Sequence, residues 1–217
     1  MSLGLVKLSD LLHLMFPDLP GAGDAIILNY LQDAARRFCG DTESLIETLP
    51  AINIVASQQD YQLSPTLNGE IIRVKDVRVN TTEGVTAGQL GSSKYTSQYD
   101  FTPSTGVLRL KYAPAESVTG GLVVDVSIIV KHKTNEVPAW WLNRYERGII
   151  AGAKKSLQEM TDKPWSNAAS AQANSMIYNQ MVGRAKNDVE AGYKTLAPRI
   201  NLDACTDKVN RRLWGNW

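Results

Sequence analysis

Leu5, Leu8, Leu12 and Met15 recur at intervals of three and four, with Lys7 and Asp10 between them. That spacing predicts an amphipathic helix at the start of the chain, closed by Pro17 and the PGAG of residues 20–23. A second helix is expected from Asp24, read as its N-cap. It carries Ile27, Leu31, Ala34, Ala35 and Phe38 on one face, Gln32, Asp33, Arg36 and Arg37 on the other, and Gly40 as its stop. Beyond Pro50 the period falls to two. AINIVASQQDYQL reads as strand, polar turn, strand, and EIIRVKDVRVN alternates Ile72, Val74, Val77 and Val79 with charged neighbours, provided the register slips once near Lys75 or Asp76. Residues 81–93 read as a loop or long hairpin, 102–106 as a turn, and VLRLKY as another strand. GGLVVDVSIIVKHK is the most apolar strand, with Val124, Val126, Ile128 and Val130 on one face. Five or six strands make a small antiparallel sandwich or barrel.

After Pro138, placed at a helix start, Trp141, Tyr145, Ile149, Gly152, Ala153 and Leu157 again recur at three and four. Gly148 and Gly152 lie four apart, so their backbones can approach another helix closely; in a water-soluble chain this reads as antiparallel packing inside the domain. TDKP ends that helix. The last long helix is expected from Pro164 or Ser166 to Ala191, capped by Gly192. Pro164 would set its first turn, Trp165 would cover the corner of the hairpin, and Ala168, Ala171, Met176, Tyr178, Met181 and Ala185 would face the preceding helix. The stretch after Trp165 is a long run of small, amide and apolar residues without a catalytic side chain.

The expected fold class is α+β: an antiparallel helical bundle from the N- and C-terminal segments with an inserted antiparallel β-sandwich or barrel-like domain. The expected division is 1–48 for the N-terminal helices, 49–134 for the β domain, 135–192 for the helical hairpin and 193–217 for an extended C-terminal tail. At 217 residues the chain can bury a core without metal or disulfide staples.

Composition removes several function classes. Lys plus Arg number 23 against 22 Asp plus Glu, so no global basic field favours nucleic acid. No stretch is long and apolar enough for a membrane span, and the apolar N-terminus lacks a cleavage site, so neither a membrane protein nor a signal peptide is expected. Cys39 and Cys205 read as free thiols without metal-ligand spacing. The only histidines are His13, in the first amphipathic segment, and His132, at a strand end, and each reads as a surface residue. GAGDA at 21–25 follows a helix and not a strand, so it lacks the context of a dinucleotide turn. No catalytic, cofactor or metal site is expected. The tail ends in RRLWGNW, where Arg211, Arg212, Leu213, Trp214 and Trp217 form an aromatic and basic cluster of the type found at interface anchors, a candidate partner-docking element.

The ordered set LQDAARRFCGDT, VASQQDYQLSP, EIIRVKDVRVN and VPAWWLNRYERGIIAGAKKSLQEMTDKPWSN resembles the head-to-tail connector, or adaptor, proteins of tailed bacteriophages over roughly residues 24–192. The residues carrying the likeness are Phe38, Cys39 and Thr42, then Tyr61 and Leu63, then Pro164 and Trp165. The resemblance implies a structural virion protein at the neck, assembled in the host cytoplasm. It implies a homo-oligomeric ring, usually of twelve copies, beneath the portal protein and above the next tail or nozzle protein, with DNA at most passing through its lumen. It also implies that C-terminal segments reach along the portal. The alternatives are a stopper or tail-completion ring of the same region, a small tail-associated hydrolase using His13 or His132 beside a carboxylate, and a nucleic-acid-binding factor.

Overall fold

The structure is a computed structural model that describes residues 4–80, 86–89 and 99–192. Three α-helices flank a continuous block of strands: α1 (Asp24–Thr42) before it, α2 (Ala139–Gln158) and α3 (Ala168–Glu190) after it. The strands are β1 (Leu5–Lys7), β2 (Ile46–Thr48), β3 (Ile52–Ile54), β4 (Asp60–Gln62), β5 (Gly69–Asn80), β6 (Thr86–Gln89), β7 (Tyr99–Thr102), β8 (Val107–Leu110), β9 (Val118–Val130) and β10 (Glu136–Pro138). The α+β class with helices around an antiparallel β block is what the change of hydrophobic period predicts.

The long strands β5 and β9 pair antiparallel at the centre of a five-stranded sheet. Its path is β2-β9-β5-β6, with β3 also on β9. A second sheet runs β4-β8-β7. Leu122, Val124, Val126 and Ile128 of β9 are fully buried, and they share one apolar cluster with Tyr61, Leu108 and Leu110 of the second sheet and with Leu63, just after β4. Ser127 and Ile129, which alternate with them, meet the end of α1: Ser127 Oγ donates to the Glu43 carbonyl at 3.2 Å, and Ile129 Cδ1 lies 3.4 Å from where a Cβ on Gly40 would sit. One strand thus serves both the sheet core and the helical bundle.

The register of β5 shifts twice against β9, between Ile71 and Arg73 and between Val74 and Asp76. The second is the slip expected near Lys75. The first has no counterpart in the sequence pattern, and it turns Ile71, in place of Ile72, into the core, since one extra residue inverts which side chains face inward. More strands form than the five or six expected, because several are only three residues long and carry too little period to read. Of residues 81–93, Thr86–Gln89 pair with the end of β5 and the rest lie outside the described residues.

The first segment corrects the sequence reading. In place of one amphipathic helix, β1 pairs with β10, and Leu8–Leu14 and Phe16–Asp18 form 3₁₀ turns. The reason is tertiary: the Leu8 and Ser9 amides donate to the backbone oxygen and Oδ1 of Asn135 at 2.7 and 3.0 Å, which anchors the start of the turn on a residue far along the chain. Leu8, Leu11, Met15 and Leu19 are buried there, while Leu5 is half exposed. Two helix ends differ in detail. Gly23 and not Asp24 is the N-cap of α1, and the helix runs past Gly40 to Thr42, ending on Glu43 in the left-handed region at φ 50°. The Glu43 amide closes that end on the Cys39 carbonyl at 2.8 Å.

Candidate functional site

Two of the stretches that carry the sequence resemblance, residues 31–42 and the start of α2, come together at the joint between bundle and sheet. Phe38 of α1 stands among Trp141, Tyr145 and Tyr178, with ring centroids 6.1, 5.3 and 5.9 Å away and mostly edge-on geometry. Aromatic quadrupoles favour such edge contacts, and each adds about 0.5–1.5 kcal/mol to simple burial. Trp141 and Tyr145 are themselves fully buried. A buried polar chain closes the joint. Trp141 Nε1 donates to Ser44 Oγ at 2.9 Å, the Ser44 and Thr42 hydroxyls are 2.7 Å apart, and Thr42 Oγ1 lies 2.6 Å from the Phe38 carbonyl. That chain ties the C-terminal end of α1 to the first turn of α2. Cys39 is sealed in the same core; burial pushes its thiol up to about 12, so it stays protonated and inert at neutral pH.

Gly148 and Gly152 lie on the α2 face that both other helices touch. A Cβ on Gly148 would come within 2.9 Å of both Met181 Cβ and Phe38 Cε2, and one on Gly152 within 2.9 Å of the Tyr178 ring and 3.5 Å of Ala34 Cβ. The pairings run antiparallel: Gly152 meets Tyr178, whereas Tyr145 and Arg144 meet Asp188, at 3.0 and 2.9 Å, near the far end of α3. The Arg144 guanidinium hydrogen-bonded to Asp188, with the Tyr145 hydroxyl beside it, holds that carboxyl below its ordinary range. Tyr178, buried and hydrogen-bonded to Asp41 at 2.7 Å, has its phenol raised well above the usual value.

Trp165 sits at the corner between α2 and α3, 8% exposed, and its indole Nε1 is buried without a hydrogen-bond partner. Pro164 does not set the first turn of α3. It is exposed, in the connecting turn, and Asn167 is the N-cap, accepting from the Ser170 amide at 3.0 Å. Spacing along α3 decides its faces: Met176 is two residues, about 200° of helix rotation, from the buried Tyr178. Ala171, Tyr178, Met181 and Ala185 turn inward, but Ala168 is exposed and Met176 is 64% exposed. Because the Trp165 N–H already lacks a partner, Trp165→Phe should cost less than about 1 kcal/mol, whereas Trp165→Ala should cost about 3–5 kcal/mol. Urea unfolding of the two variants checks the contrast.

The outer face of α3 is a surface that the periodicity of the chain does not single out. From Pro164 to Gly183 no residue is charged, in a chain where 21% of residues are. Ala168, Ala169, Gln172, Ala173, Met176, Asn179, Gln180 and Gly183 within that run are exposed. A solvated helix face ordinarily carries charge, and depletion of charge with Met present is a compositional feature of interface cores.

Among the described residues, no group of three or more His, Cys, Asp or Glu side chains could hold a metal ion. His13 is exposed with Nδ1 on the Asp10 carbonyl at 2.7 Å, and His132 is exposed 3.6 Å from Asp33. The charged network on the sheet, Glu43 with Arg73 and Lys75 and Arg78 with Asp125, fastens strands to each other and to the α1 end. No described helix is long and apolar enough to cross a membrane. The tail residues Arg211, Arg212, Leu213, Trp214 and Trp217 lie outside the described residues, as does Cys205.

No protein-family model matches the chain, and no curated protein matches it. Among solved structures, a chain of the neck of an empty GTA particle, computed with C6 symmetry, aligns at 16% identity over 79% of this chain and 94% of that one, with a TM-score of 0.30. A likeness of that size carries no argument about fold or function.

Proposed function

We propose that this chain is a structural head-to-tail adaptor of a tailed phage, which forms a ring under the portal and joins the DNA-filled capsid to the tail. The resemblance in ordered motifs supplies the class, and the uncharged stretch of the outer face of α3 from Ala168 to Gly183, before the exposed Arg184, Lys186 and Glu190, is the observation that supports assembly. On this reading residues 1–48 and 135–192 form the bundle, 49–134 the inserted β domain and 193–217 a tail whose Arg211, Arg212, Leu213, Trp214 and Trp217 dock on the portal. A closed ring needs two different patches on each copy, of which the α3 face is one. The motif residues Phe38, Thr42, Trp141 and Tyr145 then serve assembly indirectly, by holding the bundle rigid on the sheet that α3 must present.

The test mixes the purified protein with the portal protein encoded beside it and examines the mixture by negative-stain electron microscopy and sedimentation, with a chain ending at Gly192 in parallel. An added ring layer with the full chain, lost in the shortened one, is expected. No added layer with either would move the assignment to a stopper or tail-completion ring. Met176→Glu should leave the monomer's stability within about 0.5 kcal/mol, because the side chain is exposed, yet prevent ring formation. A ring that forms normally with this variant would remove α3 from the interface.

A further inference from the structure

The apolar seam of α3 ends before the helix does. Ala171, Tyr178, Met181 and Ala185 are buried, but no side chain from Lys186 to Gly192 is, and Val189, half-buried where the next seam residue would stand, lies outside the apolar core cluster. One side chain spans the gap. Asp188 Oδ2 accepts from Arg144 Nε at 2.9 Å and from the Tyr145 hydroxyl at 3.0 Å, and among the described residues no other side chain from Lys186 to Gly192 makes a hydrogen bond or ion pair. Most surface ion pairs contribute little, but the Asp188 side chain is only 19% exposed and its oxygen takes two donors, one of them charged.

The residue chosen for this position is unfavourable to its own helix. The last turn of α3 carries Asp188 and Glu190 and no basic residue, so carboxylates face the negative end of the helix dipole. The gain from Asp188 lies across the gap, on α2. Gly192, at φ 62°, closes the helix with its amide on the Val189 carbonyl at 3.0 Å. The last turn is thus complete as a helix but fastened to the bundle by polar contact at one point. A segment with few buried apolar contacts can open without unfolding of the whole.

We propose that Asp188 is a latch. Closed on Arg144 and Tyr145, it holds the last turn of α3 against α2 and fixes where the chain leaves the bundle; when it opens, residues 186–192 come away while α3 up to Ala185 stays packed. The latch sets the departure point of everything after Gly192, the candidate docking residues Arg211, Arg212, Leu213, Trp214 and Trp217 included. The inference does not rest on the adaptor reading.

Hydrogen exchange of the full chain, with no portal protein present, tests it. Asp188→Ala should speed exchange of the amides at residues 189–192 about tenfold and leave those at 174–181 unchanged. Arg144→Ala should act in the same way from the other side, and the double variant should add little, because both remove one bond. Lys186→Ala, at an exposed position of the same stretch, should change nothing. Displacement is read by double electron-electron resonance between spin labels at Asn143→Cys and Glu190→Cys, both exposed, in a chain carrying Cys205→Ser. A narrow distance distribution in the parent should broaden with Asp188→Ala. Unchanged exchange or an unbroadened distribution in Asp188→Ala would overturn the latch. So would equal acceleration along the whole of α3, which would make the helix one cooperative unit, or the same acceleration in Lys186→Ala. Any of these results leaves the portal experiment standing, since the portal is absent.

Discussion

Trp141→Ala is expected to lower the stability of the chain by at least about 3–5 kcal/mol, and its unfolding temperature by about 10 °C or more. The side chain is fully buried, in contact with Phe38 and Tyr145, so the substitution removes the centre of the aromatic cluster and leaves a cavity walled by helices that cannot collapse together. It also removes the donor at the head of the buried polar chain. Two smaller changes separate these effects. Trp141→Phe keeps the ring edge but strips the N–H from Ser44 Oγ, and should cost about 1–3 kcal/mol. Ser44→Ala orphans the indole from the other side and should cost a similar amount. Because the two remove the same bond, the double variant should cost clearly less than their sum. Additive costs in a urea-denaturation cycle would show that the hydrogen bond contributes nothing.

Gly148→Leu is expected to destabilise by about 3 kcal/mol or more and to disrupt the bundle before it disturbs the sheet. The first added carbon alone meets Met181 Cβ, which is fixed to the α3 backbone, and Phe38 Cε2, which is wedged among three other rings. Neither can rotate away, so α2 and α3 must separate, and overpacking of this kind commonly costs about 1–3 kcal/mol for far less added volume. Gly183 is the control. Nothing lies within 4 Å of a Cβ there, so Gly183→Ala gains helix propensity without a clash and should stabilise by about 0.5–1 kcal/mol. Opposite signs at two helical glycines, read from thermal unfolding, would establish that Gly148 is there for close approach. A neutral Gly148→Ala would show that the helices have slack that the static geometry does not.

Both expectations concern elements whose existence is legible in the chain and whose partners are not. The α1 and α2 stripes, the inward set Val124, Val126, Ile128 and Val130, and the register slip near Lys75 follow from periodicity, because burial on one face imposes a period whatever the face is buried against. The start of the chain reads as a helix for the same reason: Leu8 and Met15 keep helical spacing. Only contact with Asn135, far along the chain, decides that Leu5–Lys7 is a strand and Leu8–Leu14 a 3₁₀ turn. The corner at Pro164 departs from its pattern for a more local reason. Proline can open a helix, but Asn167 makes a real cap three residues later; Met176 points outward for a separate reason, lying about 200° of helix rotation from the buried Tyr178. Similarly, the absence of charge from Pro164 to Gly183 is written in the chain, but it becomes a surface only once α3 has its orientation.

The class of the fold is therefore a property of the linear pattern, since the alternation of periods specifies helices around a strand block and any chain must bury the faces those periods create. The pattern also places the small residues at Gly148 and Gly152 that permit close packing. Which distant groups meet is settled only in three dimensions: Phe38 with Trp141 and Tyr178, Ser44 with the indole, and β1 with β10. Local patterns report only that a side chain must be buried or bonded. Its partner is chosen by the closure of the whole core, which no window of the chain contains.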